Sequence, residues 1–442
     1  MVALWYLVTR LYSFMRYGQA AFGYDTGIYR HIINGYFERF FDPTVVPFAF
    51  TGYSNSLRFL GASTDSIIFG GYIFLSLLLA GLFYFVVLEY TDQKKSAWFA
   101  TALLVLSIVQ YEFFWGYYYR NYLALFFTFI VFYLIKIRSR LLFLPLTALT
   151  IVHPLTAIPV AISLCIYAVI KKEDRKFILI SGTITALLAL ILNGREFLVY
   201  LPFITKYFGA TFAAVAAGNT EATGLFMNDK SFLYAILWYA PLAIFALVTI
   251  SYKKYLLPII FLGVNTVLVL ARTVFYQRFL VSIDLILIIL AGIGLSIVWE
   301  WPRKEIKIVV IIFLIIFAGY SGNYIVHKKT LLTPSEISVI TELKVEENAR
   351  ILTINPYYAP WLYGFTNQEI IAPGMFEYDH WNLEKWNMFR GQVDSQTQTE
   401  MLKEYQTQPL YIFAGERDAY FTERLKHNKN MRKINDYVWQ VL

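Results

Sequence analysis

The stretch LLFLPLTALTIVHPLTAIPVAISLCIYAVI, Leu141 to Ile170, is an apolar run of about thirty residues. KIRSR (Lys136–Arg140) precedes it and KKEDRK (Lys171–Lys176) follows it. Lys and Arg in short loops favour the cytoplasmic side of a membrane. If both clusters lie on that side, the chain enters and returns within this run. At about 1.5 Å per residue it is too short for two full crossings of a roughly 30 Å hydrocarbon core. His153-Pro154 stand near its middle, and proline ends or kinks a helix. The expected structure is a re-entrant hairpin of two short helices turning at membrane depth. Such a turn is tolerated only when buried in protein or lining a wet cavity. A single kinked helix is the alternative, and it puts one basic cluster on the opposite side.

The remaining basic clusters fit the same threading. DQKK (Asp92–Lys95), SYKKY (Ser251–Tyr255) and WPRKEIK (Trp301–Lys307) punctuate further apolar runs. Candidate spans are 1–17, 67–90, 96–114, 118–136, 141–152, 154–170, 177–193, 232–250, 256–272, 279–298 and 307–326. This gives about eleven segments, with the N-terminus inside and the C-terminus outside. The first segment carries Arg10 and reads as a tilted or shortened span, with no cleavable signal peptide apparent. Composition agrees: the 442 residues are 58% hydrophobic and 15% charged, with mean hydropathy +0.53, more apolar surface than a soluble protein of this length hides. The net charge of +8 then belongs to cytoplasmic loops rather than to a nucleic-acid footprint. A lone Cys165 supports neither a disulfide framework nor a zinc motif.

Two regions are not membrane. Residues 18–66 form a long first outer loop of the membrane domain, 1–329. Residues 330–442 have ordinary soluble composition. In this tail Thr333-Pro334-Ser335 opens an amphipathic helix, with Ser335 as its expected N-cap. RILTI (350–354), PLYIF (409–413) and YVWQVL (437–442) read as strands, with helical segments near 380–405 and 418–428 between them. That alternation predicts a small α/β domain on the extracytoplasmic face.

With basic loops inside, residues able to do chemistry collect outside. Asp25 lies in FGYDTGIYRH (Phe22–His31), just past the first span. Held near Tyr24 and Tyr29 and flexed by Gly23 and Gly27, its carboxylate suits taking a proton from an acceptor or holding a metal. It equally suits the N-cap of a helix running to about Phe40. His31 reads as an exposed imidazole. Arg120-Asn121 end an aromatic run at an outer turn, where a snorkelling Arg in an aromatic belt is the plainer reading. Arg272 and Arg278 flank a turn that includes Tyr276, and guanidinium groups at that depth suit a lipid phosphate or generic headgroups. Asp284 lies inside the next apolar run and needs a partner, for which Arg120 is a candidate. His153 at the hairpin tip is a substrate ligand or a buried hinge residue. Glu221 lies in a Gly/Ala-rich loop, 194–231, of the kind that closes over substrate or merely connects. Tyr357, Tyr358, Trp361, Tyr363, Phe376, Tyr378, His380, Trp381 and Trp386 form an aromatic group suited to sugar stacking, the bilayer surface or a domain core.

This layout resembles that of the polytopic GT-C glycosyltransferases: an Asp in a long first outer loop, short membrane helices, a late Arg-bearing turn and a C-terminal outer domain. The Tyr-Asp-Thr-Gly-Ile-Tyr stretch is similar to the family's Asp-containing first-loop motif, and the segments ending in His153-Pro154 and Arg278-Phe279 are similar to patterns in its prokaryotic members. No Trp-Trp-Asp motif is present, and Thr26 replaces the acidic neighbour seen in the protein mannosyltransferase type. The resemblance implies an enzyme of a prokaryotic cytoplasmic membrane that moves a sugar from a polyprenyl (dolichyl-like) phosphate or pyrophosphate donor to a glycan, lipid or protein acceptor. It assigns Asp25 as base or metal ligand. Arg272, Arg278 and Arg120 would bind donor phosphate, and Tyr24, Tyr29, His31, Asn121, His153, Glu221 and Tyr276 would contact substrate. A divalent cation (Mg or Mn), held by Asp25 and Glu221, stays open. A transporter or lipid flippase, or a polymerase or ligase acting on lipid-linked glycans, are the competing readings.

Overall fold

The computed structural model describes residues 2–18, 23–34, 48–216, 226–273, 275–373, 380–391 and 393–442. In chain order the helices are α1 (Val2–Tyr17), α2 (Thr26–Asn34), α3 (Phe48–Phe59), α4 (Tyr72–Thr91), α5 (Lys94–Leu106), α6 (Ile108–Trp115), α7 (Tyr119–Lys136), α8 (Phe143–Val152), α9 (Pro154–Ile170), α10 (Lys172–Ala216), α11 (Asp229–Ile236), α12 (Ala240–Thr249), α13 (Leu256–Leu270), α14 (Leu280–Trp299) and α15 (Lys304–His327). Helices therefore occur at each of the eleven expected positions. Among the described residues, four stretches are long and apolar enough to cross a membrane: Ser66–Thr91, Lys172–Gly194, Tyr276–Trp299 and Lys304–His327. The number rises to six if each of two bent pairs forms one span. Arg140–Val152 and Pro154–Ile170 are two separate short apolar helices that meet at His153. The loop expected over 194–231 is helical as far as Ala216, after a kink at Asn193. Its GATFAAVA end is rich in Ala, the strongest helix former, which outweighs the single Gly. Glu221 lies outside the described residues.

The chain forms two compact units. One comprises Met1–Ser13, Pro47–Leu60 and Phe69–Lys328. The other comprises Phe14–Val46, Gly61–Ile68 and Lys329–Leu442, so it includes the Asp25 segment as well as the tail.

In the helical unit, α14 is the buried centre. A Cβ on Gly292 would fall on the Ala100 backbone, so only glycine lets α14 approach α5 this closely. Asp284 of α14 is fully buried, and its partners are not the expected Arg120. Ser107 Oγ donates to Oδ2 at 2.9 Å, Gln110 Nε2 to Oδ2 at 2.7 Å, and the Tyr239 hydroxyl to Oδ1. Ser107 is the N-cap of α6, at the 52° bend from α5. Tyr239 is the N-cap residue of α12, at the 69° bend from α11. One carboxylate thus fastens both bends, and neutral donors on broken helices reach it where an arginine does not. Arg10 of α1 is buried too, with its guanidinium 4.5, 5.2 and 4.7 Å from the rings of Tyr6, Tyr111 and Phe114.

The second unit is an α/β domain. Its sheet has the order β2-β1-β3-β5-β4: β1 (Arg350–Thr353), β2 (Glu369–Ile371), β3 (Leu410–Phe413), β4 (Met431–Lys433) and β5 (Val438–Val441). β2, β1 and β3 run parallel, while β5 and β4 are antiparallel additions. The expected strands are β1, β3 and β5. β2 and β4 are three residues each, too short to show a period of two. Alternate residues face opposite sides. Ile351, Tyr411 and Phe413 pack under helices α16 (Pro334–Thr341) and α17 (Ala359–Phe365). Leu352 and Ile412 pack under α18 (Leu383–Arg390), α19 (Ser395–Leu402) and α20 (Ala419–Lys426).

The N-cap of α16 is Thr333 rather than Ser335. Thr333 and Glu336 form a reciprocal capping box, and Pro334 takes the first helical position. Tyr358, Trp361, Tyr363, Trp381 and Trp386 are all buried, so this part of the aromatic group is core. Phe376 and Tyr378 lie outside the described residues.

The Asp25 segment docks on this domain through α2. A Cβ on Gly27 would overlap the Pro360 carbonyl, so the two backbones touch. His31, expected to be exposed, is 0% exposed, with Nδ1 2.8 Å from the Tyr363 carbonyl oxygen.

Two outcomes test these packings. Asp284→Ala strands three buried polar partners and should cost about 3–5 kcal/mol, lowering Tm of the detergent-purified protein well below that of Asp284→Asn. An unchanged Tm in Asp284→Ala contradicts the pinning role. In the sheet domain, burial pushes the Asp418 carboxyl up to about 7 from 3.8. The fold then binds more protons than the unfolded chain between those values. Its stabilisation is full below about pH 4 and lost as pH rises through 7. Asp418→Asn should therefore raise stability at pH 8, by at most about 4 kcal/mol, and have little effect at pH 4. A pH-independent difference in Tm contradicts the shift.

Candidate active site

Three backbone irregularities in the helical unit bring Arg120, Asn121, His153 and Arg278 together. The first is the start of α7, which carries Arg120 and Asn121. The second is the α8–α9 break at His153. A helix ending there leaves carbonyls without partners. Arg120 Nε donates to the Val152 carbonyl at 2.9 Å and satisfies one of them. The His153 side chain serves the other helix: Nδ1 accepts from the Thr156 backbone N–H at 3.2 Å and lies 2.8 Å from Thr156 Oγ1. An Nδ1 that accepts a backbone N–H leaves Nε2 as the protonated nitrogen of neutral imidazole. The third is the 3-10 turn Tyr276–Phe279 ahead of α14, entered through Phe275 with a left-handed φ of 57°. That turn presents Arg278 over the rings of Tyr118 (5.1 Å) and Phe275 (5.2 Å).

A narrow cleft adjoins these groups. Asn121, Thr156, Pro159, Arg278 and Ser282 line it, with Phe113 on its apolar side. Arg120 and Arg278 both lie within electrostatic reach of His153. The cleft lining therefore combines the Arg278 guanidinium, the Asn121 amide and the Thr156 and Ser282 hydroxyls, groups of the kind that hold an oxyanion, with Arg120 and His153 outside that lining. Phe226, the first described residue after 217–225, donates its backbone N–H to Gln277 Oε1 at 3.1 Å and packs on Phe113 and Tyr118.

Arg272 stands apart from this cleft. It is exposed, 3.7 Å from Asp229 and 5.7 Å from the ring of buried Tyr276. A further polar group escaped the sequence reading. Glu112 of α6 accepts from Lys328 Nζ at 2.6 and 2.7 Å and from the Tyr324 hydroxyl at 2.6 Å, and Lys328 lies 4.2 Å from the Trp115 ring. The available signal was a carboxylate within an apolar helix, the same signal that flagged Asp284.

In the sheet-bearing unit, Asp25 occupies the position that opens α2. Its carbonyl accepts the Tyr29 N–H at 3.0 Å, and Thr26 bonds back to Gly23. Asp25 and Tyr24 are half-buried and Tyr29 is buried. The Tyr24 ring meets the Tyr357 ring edge-on at 6.0 Å. Among the described residues no three His, Cys, Asp or Glu side chains are grouped to hold a metal ion.

No family model matches the chain, and no curated protein sequence matches it. Among solved structures it is similar to ArnT from Cupriavidus metallidurans bound to undecaprenyl phosphate. The TM-score is 0.59 at 13% sequence identity, over 99% of this chain and 97% of that one. The two share a fold, and its architecture, a series of apolar helices with a small C-terminal sheet domain, is the one expected from sequence.

His153 is open to a direct structural test. His153→Ala removes the α9 cap and should cost about 1 kcal/mol, whereas His153→Asn, a strong N-cap residue, should recover most of it. Equal Tm values for the two variants contradict the capping role.

Proposed function

We propose that this chain is an integral membrane glycosyltransferase that moves a sugar from a polyprenyl phosphate or pyrophosphate donor to an acceptor on the extracytoplasmic face, with inversion. The observation that carries this reading is a cleft lined by Asn121, Thr156 and Arg278, with Arg120 and His153 at the adjoining helix break. A fold shared along the whole chain with a protein that binds undecaprenyl phosphate supports it.

In this mechanism the donor phosphate sits against Arg278, whose planar guanidinium offers paired N–H donors, with Arg120 and the protonated Nε2 of His153 adding positive potential. Asp25 is the general base. Its carboxylate takes the proton of an acceptor hydroxyl as that oxygen attacks the anomeric carbon from the face opposite the phosphate. The bond from the anomeric carbon to the phosphate oxygen breaks, the phosphate leaves with the electron pair, and the arginines stabilise the charge it gains. Tyr24, Tyr29 and His31 act through α2: they hold the Asp25 segment on the sheet domain.

The test uses the detergent-purified protein with undecaprenyl phosphate for binding and a labelled polyprenyl-phosphate sugar for turnover. Asp25→Asn should bind the lipid as wild type does yet lose transfer by about 10²-fold or more. Arg278→Ala should weaken lipid binding by about tenfold or more, while Arg272→Ala, at an exposed and already paired position, should weaken it less. Full turnover by Asp25→Asn removes the base assignment. Unchanged lipid binding by Arg278→Ala removes the phosphate site.

A further inference from the structure

The sheet domain carries an open groove of about 540 Å³ between α19 and the turn 427–430, which joins α20 to β4. That volume lies within the roughly 300–1,000 Å³ of small-molecule sites. Every side chain that lines it among the described residues is polar or charged.

Asn428 is buried and fixes the shape of the groove. Its Nδ2 donates to Gln398 Oε1 at 3.1 Å and to the Ser395 carbonyl at 3.4 Å, and its Oδ1 accepts the Asn430 N–H at 3.0 Å. Asn430 Nδ2 donates to Thr399 Oγ1 at 3.3 Å. The turn is thereby tied to α19, and the groove is shaped before a ligand arrives.

The charges of the lining are distinctive. Five lysines lie in the chain from Arg350 onward. Lys385, Lys426 and Lys433 pair with Glu404, Glu423 and Asp436. The other two, Lys403 and Lys429, both line the groove, are exposed, and have no ion-pair partner among the described residues. His427 stands beside Lys429 on the turn. Glu400 is the single carboxylate of the lining, and Gln396 Nε2 donates to its Oε1 at 3.3 Å.

These groups select a ligand class. A lipid tail finds no apolar wall here, and a nucleobase finds no ring to stack on. A metal cation meets two ammonium groups. A small anion suits the lysines but leaves the carboxamides and Glu400 unused. A sugar that carries a carboxylate or a phosphate ester uses both sets: its anion meets Lys403 and Lys429, and its hydroxyls bond to amides and carboxylate.

We propose that this groove binds an acidic carbohydrate, with Lys403 and Lys429 on its anionic group, Gln396 and Asn430 presenting their amides to its hydroxyls, and Glu400 accepting from a hydroxyl. The site does not rest on the transferase reading above.

The test is saturation-transfer NMR on the full-length protein in detergent. The probes are glucuronate and glucose 6-phosphate, which separate a carboxylate from a phosphate ester, with methyl α-glucoside and inorganic phosphate as controls. At least one acidic sugar should bind saturably, and more tightly than either control. The double variant Lys403→Gln/Lys429→Gln changes only exposed side chains and should keep the wild-type Tm. It should weaken binding by about tenfold or more. Gln396→Ala should weaken it as well, through the lost amide. Lys344→Gln removes the same charge from an exposed position of this unit outside the groove and should leave binding unchanged. No saturable binding of either acidic sugar overturns the proposal. So does undiminished binding by the double variant, an equal loss in Lys344→Gln, or a control bound as tightly as the acidic sugars.

Discussion

A helix that stops inside an apolar layer exposes carbonyls and N–H groups that hydrocarbon cannot satisfy, at several kcal/mol each. Among the described residues, two such breaks are met by polar side chains on the freed backbone groups, and a third is tied to one of them. Arg120 takes the carbonyl left at the end of α8, and His153 caps α9. Ser107 caps α6, and Asp284 ties that cap to Tyr239 at the α11–α12 bend. The breaks are what bring polar groups into an otherwise apolar bundle, so backbone satisfaction and site formation are one event here.

The consequence for chemistry is preorganisation. Arg120 is held by a backbone carbonyl, and Arg278 stands on a turn whose backbone is set by Phe275 and whose guanidinium rests on aromatic rings. Groups fixed before a charge arrives cost little to reorganise when it develops. The sheet domain applies the same logic to Asp25. The contact of α2 with α17, through Gly27 and His31, sets the start of that helix and hence the position of the carboxylate.

The division of Leu141–Ile170 into two short helices at His153 was legible because a proline stands near the middle of that run. The series of apolar helices followed by a small sheet domain was legible in the same layout. Partners were not legible. Nothing in sequence separation says that Asp284 meets Ser107 and Tyr239 rather than an arginine, because that pairing is set by where two distant helices bend. His31 reads as a surface imidazole until the α2–α17 contact buries it. Glu112 was hidden within an aromatic run, and its role as partner to Lys328 depends on the packing of the last helix. The three-residue strands β2 and β4 carry too little pattern to be seen without the sheet they complete.

The central claim is that the cleft between the His153 break and the Arg278 turn holds a lipid phosphate. The most direct measurement is a cryo-electron microscopy structure of the full-length protein with saturating undecaprenyl phosphate. The account predicts phosphate density within about 3 Å of the Arg278 guanidinium and facing Arg120 and His153. A phosphate seated elsewhere at saturation, with this cleft filled only by side chains, would contradict it.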